Sequence, residues 1–441
     1  MRKLNRIIVL SLLVLILMSV STLDIEAFNY TDDVQKIVLD NGVTLLLKEN
    51  PAYDIIALAL MSSVGSVHDP VGLEGLTFLT QRNLISGTKT RTGQELVMEL
   101  ESWGVQLQTL ASYDYSAILL QTMPSTFEQS FAVLMDIIDS SNFPELEFER
   151  ERMLSQMQLQ SLTDDPTNAV LLAYLELFYG EHPYKFTPYG SDVGLATIQR
   201  EDLHDWHQYI YQPEHLVISV VGNFSTEKLL TTLKDSFGVW ESDYAGSHSP
   251  REQVPFIYPD ENREIEINVP LEAAFLVMGY SAPDSFDEDS AAMTVINGIL
   301  GGGMSSRLFT EIRDKRGLAY TAISQYDDRL GPSNFFMFLA THPLNLEQAK
   351  EQILVEVGRF ATEGLTEEEI AQVAVREKGL YLLGNETNMS QATTLAMAEL
   401  TGRGYEWVDE YMNFFDGVTP EDIKKVAEKY LQHYTGVIIT P

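Results

Sequence analysis

The chain reads as an α+β protein made of two homologous α/β-sandwich domains, each an antiparallel sheet with helices packed on one face. Three observations lead there. A helix opening Glu201-Asp202-Leu203 and running towards Tyr211 returns as Glu421-Asp422-Ile423, running towards Tyr434, an offset of 220 residues. Each of these helices is followed by an apolar, β-branched strand, at 216–221 and 436–439. At nearly the same offset, Glu145-Leu146-Glu147-Phe148 and Glu367-Glu368-Glu369-Ile370 each open a long helix. A repeat of that length is a duplicated domain, because solenoid units are far shorter.

Taken in order, the first 27 residues read as a secretory signal. Arg2, Lys3 and Arg6 form a basic start, residues 7–23 are nearly all apolar, and Ala27 offers a small residue for cleavage. The apolar run is marginal for a full membrane span, so export with cleavage is expected, with an uncleaved anchor as the alternative. The first domain is expected over 28–242. Residues 36–39 and 43–47 flank an Asp40-Asn41-Gly42 turn and read as a hairpin. Residues 55–62 read as a buried strand, and 92–103 and Phe127–Ser140 as amphipathic helices. A long helix is expected over 144–162. Residues 243–259, with Gly246 and several prolines, read as a linker. The second domain, 260–441, opens with alternating strands at 264–268 and 274–278.

Composition narrows the chemistry. The chain has 441 residues and no cysteine, which excludes disulfides, thiolate metal sites and a lipid-modified cysteine. Sixty-four acids stand against 29 bases, a formal charge of −35. Such a surface argues against nucleic acid and anionic lipid as partners.

The segment from Gly75 to Thr88 carries the most information. It reads Gly-Leu-Thr-Phe-Leu-Thr-Gln-Arg-Asn-Leu-Ile-Ser-Gly-Thr. It resembles the zinc-site segment of the pitrilysin/insulinase-type metallopeptidases, the inverzincins, whose motif is His-x-x-Glu-His. The frame of Gly75, Leu76, Gly87 and Thr88 is kept, but the ligands are not. Phe78 and Arg82 stand where the resemblance expects histidines, and Gln81 where it expects the general-base glutamate. Phe78 has no lone pair, Arg82 is permanently cationic, and an amide is no base near neutral pH. The third ligand fails too: the matching position, 76 residues past Arg82, is Gln158. Glu151, a heptad earlier on the same face, is kept; in the family it is an outer carboxylate, and alone it cannot hold a metal. This chain is therefore expected to bind no zinc.

The second half is intact by the same comparison. Leu300-Gly301-Gly302-Gly303-Met304-Ser305-Ser306-Arg307-Leu308-Phe309, followed by residues 311–320, is similar to the C-terminal domain of the family's smaller two-domain branch, that of the mitochondrial processing peptidases. A triple glycine alone suggests a phosphate loop, but the Gly-Lys-Ser/Thr ending is missing; the simpler reading is a tight turn beside a helix. Arg313 and Tyr320 match the family's Arg/Tyr pair, which the resemblance implies binds the substrate carbonyl and the developing oxyanion. From spacing alone they would read as a surface ion pair and a packed ring. The resemblance covers roughly residues 34–441, with further echoes at Gly65-Ser66, His182-Pro183-Tyr184, Gly190 and Pro213. His204 and His207 sit three apart on one helix, and no carboxylate is placed with them, so they read as structural.

The resemblance thus implies an asymmetric chain, with a damaged zinc half and an intact Arg/Tyr half. In the family's two-chain enzymes one chain carries zinc and the other the Arg/Tyr pair. This chain resembles the second kind: an exported, zinc-less subunit that binds peptide and completes a zinc-bearing homologous partner. The alternative is a non-enzymatic peptide-binding or scaffold protein on the same fold, which would have no need of Arg313 and Tyr320.

Overall fold

The computed structural model describes residues 29–242, 244–252 and 254–441, so the expected export segment lies outside it. The first half runs β1 (Val34–Val38), β2 (Thr44–Glu49), β3 (Ile56–Ser62), α1 (Leu76–Asn83), α2 (Gly93–Ser102), β4 (Gln106–Ala111), β5 (Ser116–Thr122), α3 (Phe127–Ser140), α4 (Glu145–Asp164), α5 (Pro166–Tyr179), α6 (Asp192–Thr197), α7 (Arg200–Ile210), β6 (Leu216–Gly222) and α8 (Thr226–Phe237). The second half runs β7 (Arg263–Asn268), β8 (Ala274–Ala282), α9 (Ser290–Leu300), a π-helical segment Leu308–Asp314, β9 (Thr321–Asp327), β10 (Ser333–Thr341), α10 (Leu346–Thr362), α11 (Glu367–Gly384), α12 (Asn388–Leu400), α13 (Trp407–Glu410), α14 (Pro420–Tyr430) and β11 (Tyr434–Thr440).

The strands form two sheets, ordered β1-β2-β6-β3-β5-β4 and β7-β11-β8-β10-β9. With β1 set aside, the two orders match strand for strand, so the repeat in the sequence is a repeat of topology. The sheets are α+β as expected but not purely antiparallel: β2 runs parallel to β6, and β7 parallel to β11. In each half these are the first repeated strand and the last. All the helices of the second half, and all but α8 in the first, lie between them in sequence, and a parallel pair needs such a long crossover.

The strand patterns explain the layering. β1, at the rim of its sheet, is buried only at Val34 and partly covered at Ile37, and its turn onto β2 places Gly42 at φ +99°, a left-handed conformation that glycine adopts without strain. β3 and β6 are buried along their whole length. One face of each sheet meets its own half's helices. The other face was not legible in the sequence, because the helix that covers it comes from the other half. α12 packs across β3 and β6, setting Leu395 and Ala396 against Ala57, Ala59 and Val217. Reciprocally, α5 packs across β8 and β11, setting Val170, Tyr174 and Phe178 against Val277 and Val437. Each fully buried leucine or phenylalanine there contributes about 1.5–3 kcal/mol, so the halves stabilise one another. Tyr174 lies so close over β8 that a Cβ on Gly279 would meet its hydroxyl oxygen at 2.0 Å.

Between the halves, residues 244–252 and 254–262 have no regular secondary structure. This segment is tied to the first half. The Tyr244 hydroxyl donates to Asp205 at 2.9 Å, His248 Nε2 lies 2.9 Å from Asp202, and Arg251 binds Glu74 at 2.5 Å and the Asp69 carbonyl at 3.1 Å. The long helix expected over 144–162 is α4, which continues to Asp164. Asp165 then caps α5 by accepting from the amides of Thr167 and Asn168, with Pro166 in the first helical turn.

Candidate functional site

The site is built on α1. Its first turn is fixed by Asp69, which is fully buried and accepts from the Gly75 amide at 2.8 Å, the Thr77 amide at 2.9 Å and the Thr77 hydroxyl at 2.6 Å. The Trp206 indole of α7 donates to the same Thr77 oxygen at 2.8 Å. Burial pushes the Asp69 carboxyl up to about 7, against the pull of these three donors. Gly75 caps the helix at φ +106°, and a Cβ on Gly190 would meet the Glu74 carbonyl oxygen at 2.1 Å. The two glycines let the loop at 187–191 rest on the start of α1. That close approach brings Tyr189 edge-on to Phe78, with ring centroids 4.9 Å apart.

The three altered motif positions point to three different surroundings. Phe78 packs on Tyr189. Gln81 is buried and donates from Nε2 to the hydroxyl of Tyr211, the residue that caps the end of α7, at 3.0 Å; burial holds that phenol well above its usual range. Arg82 turns to α4, where its Nε and Nη2 donate to Glu151 Oε2 at 3.1 and 2.8 Å. The other oxygen of Glu151 accepts from Arg150 at 3.1 Å. Glu151 is thus bracketed by two guanidiniums. Gln158, one heptad further along α4, is exposed and has no hydrogen bond to this cluster among the described residues. The structure therefore joins Arg82 to Glu151 and leaves Gln158 apart. These residues do not fit a zinc ion: a guanidinium occupies the carboxylate that remains, and the two neighbouring positions are a phenyl ring and an inward-facing amide. Among the described residues no group of three His, Cys, Asp or Glu could hold a metal. His204 and His207 pack their rings on Phe143, at 4.8 and 5.8 Å, and burial pushes His207 down to about 4.

Beside the Arg82–Glu151 pair opens a groove of about 930 Å³. Its walls are the α1–α2 connection, Thr109 of β4, and the first turns of α4. Among the described residues, strand β4 pairs only with β5, so its other backbone edge lies open at the rim of the first sheet. No motif in the sequence announces β4; only the strand order makes it an edge.

In the second half Arg313 and Tyr320 flank the equivalent edge strand, β9. Arg313 lies on the π-helical segment, exposed, with its guanidinium 4.7 Å over the Phe309 ring and no ion pair among the described residues. Tyr320 immediately precedes β9. Its amide donates to the Ala340 carbonyl at 2.9 Å, and its side chain is 64% exposed. Neither residue is the surface ion pair or packed ring that spacing alone would allow. The triple glycine is not a phosphate loop. Arg376 donates to the carbonyls of Gly298 and Gly302 at 3.3 and 3.1 Å, and a Cβ on Gly301 would meet the Ser324 amide at 2.0 Å. The glycines close α9 against β9, the strand beside which Tyr320 sits.

Residues 44–189 match the family described as insulinase (peptidase family M16), and residues 197–374 match the peptidase M16 inactive domain. The chain belongs to the M16 family. Its M16 relatives include an uncharacterized zinc protease of Bacillus subtilis, YmxG, 24% identical over 92% of this chain and 98% of that protein. Another is an uncharacterized zinc protease of Mycobacterium leprae, 24% identical over 92% of each chain. The two-domain M16 fold is shared with a protease from Helicobacter pylori, at TM-score 0.85 and 21% identity, covering 92% of this chain and 99% of the other. It is shared equally with a peptidase M16 inactive domain from Pseudomonas fluorescens, at TM-score 0.82 and 21% identity, covering 92% and 98%.

Proposed function

We propose that this M16 chain is the zinc-less subunit of an exported heteromeric peptidase, binding peptide and supplying Arg313 and Tyr320 to a zinc-bearing homologous chain. The observation that carries the reading is a contrast between the halves. At the altered motif, Arg82 is ion-paired with Glu151; across the repeat, Arg313 and Tyr320 stand exposed beside an edge strand, with no ion pair among the described residues to hold the guanidinium. A peptide backbone can add to the open edge of β4, a mode driven by main-chain hydrogen bonds and tolerant of sequence. A guanidinium and a phenol are suitable donors to a carbonyl oxygen that gains negative charge. Export rests on the Arg2-to-Ala27 pattern, with a mature chain starting near Phe28.

The test is reconstitution. The chain is mixed with a zinc-bearing M16 homologue from the same organism that is inactive alone. The expected result is a heterodimer by size-exclusion chromatography and light scattering, with peptidase activity that neither chain shows by itself. A stable heterodimer without activity would favour the scaffold reading instead. Terminal sequencing of the protein from its native host tests export, and an intact Met1 in membrane fractions would support an anchor.

A further inference from the structure

The groove at the altered motif has a charge balance unlike the rest of the chain. Four bases line it, Arg82, Lys89, Arg91 and Arg150, against three acids, Glu95, Glu147 and Glu151. Across the chain acids outnumber bases 64 to 29. Two of the lining groups are engaged outside the Arg82–Glu151 cluster. Arg91 binds Glu99 and Asp136 at 3.0 and 2.6 Å, and Glu95 accepts from the Thr92 amide at 2.8 Å as part of the α2 cap. That leaves Arg82, Arg150 and Lys89 against Glu147 and Glu151, a cluster one charge positive even with Arg150 Nε paired to Glu147 at 3.1 Å. The two arginines are held close together because both bind the one Glu151 carboxylate, at 2.8 and 3.1 Å. Arg82 and Arg150 are still half exposed, each with Nη1 unpartnered among the described residues, and Lys89 is exposed with no ion pair among them. Glu151 is itself buried, so it orients the guanidiniums rather than competing for solvent.

The geometry points to a carboxylate-binding subsite: Arg82 and Arg150, with Lys89 beside them, receive an acidic group of a peptide lying along the β4 edge. Converging guanidinium donors suit a carboxylate because charge-assisted bonds are the stronger ones and the fork matches two oxygens. The carboxylate is either an Asp or Glu side chain or the peptide's own C-terminus. This inference rests on the peptide-binding reading above and adds the substrate class to it.

The experiment is fluorescence anisotropy on the full chain without any partner, using dye-labelled hexapeptides. One is Ala-Ala-Glu-Glu-Ala-Ala amide, the second its Gln-Gln counterpart, and the third hexa-alanine with a free C-terminus. The Glu peptide, the free-acid peptide or both should bind about tenfold more tightly than the Gln amide; which of them does so identifies the source of the carboxylate. That preference should weaken with added salt, and should fall in Arg150→Gln and Lys89→Gln, whose side chains are exposed and cost the fold little. Arg82→Gln should abolish it, with circular dichroism reporting that the chain remains folded. Equal binding of all three peptides, unchanged by the variants, would overturn the carboxylate subsite while leaving the peptide-binding subunit intact. If none of the peptides binds, the subsite is overturned too, and reconstitution then decides the subunit reading separately.

Discussion

Gln81 and Tyr211 form a buried, side-chain-only hydrogen bond between α1 and the C-cap of α7, 130 residues apart in sequence and 3.0 Å apart in space. The amide points into the core rather than towards the groove, which Arg82, the next residue, lines. The pair is a packing contact. It is also why a single reversion at this position cannot restore a base.

Gln81→Glu should destabilise the chain by about 1–3 kcal/mol near neutral pH, because a buried carboxylate would face one phenol and no cation. Burial would raise the pKa of the introduced glutamate above its unfolded value. The deficit should therefore be small below pH 4 and grow as pH rises through the raised value. Urea titrations at pH 4.5 and 8 measure this, and an equal loss at both would argue that the carboxylate reaches solvent.

The purified chain should carry no stoichiometric zinc, since Phe78, Gln81, Arg82 and Gln158 stand where the resemblance to the family places the ligands and the base. Elemental analysis after desalting gives the answer directly: one tightly held zinc per chain would sink the zinc-less assignment.

In the reconstituted heterodimer, Arg313→Ala or Tyr320→Phe should lower turnover by about 10² or more while assembly is unchanged, because each removes a donor used mainly in the transition state. Phe78→Ala offers the contrast. It loses its edge-on contact with Tyr189, so its effect should appear as a loss of unfolding free energy of about 1–3 kcal/mol, and not in turnover of the folded complex. Full activity in both donor variants would remove their catalytic role.

Asp69→Asn should be pH-dependent in a defined direction. The Asp69 carboxyl titrates at about 7 in the fold against 3.8 when unfolded. The folded chain thus binds this proton more tightly, and the stability linked to it is fully present below pH 4 and lost as pH rises through 7. Asparagine has no such proton, and it turns an amide NH₂ towards the donors of Gly75 and Thr77. The stability gap between wild type and variant should be widest near pH 4 and narrow towards pH 8. The opposing histidine His207, held low by burial, is common to both proteins and cancels in the difference. A gap that is flat with pH would mean that Asp69 stays ionised throughout.

Much of this protein was legible in the chain itself. The duplication followed from Glu201 and Glu421 and from the strands after them, because local patterns of burial repeat whenever topology does. The expectation that the chain holds no zinc rests on Phe78, Gln81 and Arg82, because ligand chemistry is a property of residue type. Other features belong to tertiary structure alone. Nothing near Leu395 or Tyr174 in sequence says that each helix covers the sheet of the opposite half. An apolar stripe specifies that it must be buried, not against what. The edge position of β4, the inward turn of Gln81 onto Tyr211, and the convergence of Arg82 and Arg150 on Glu151 likewise arise only when segments about 70 to 130 residues apart meet. Local sequence sets what each residue can do chemically; the packing of distant elements decided which of those groups share a groove.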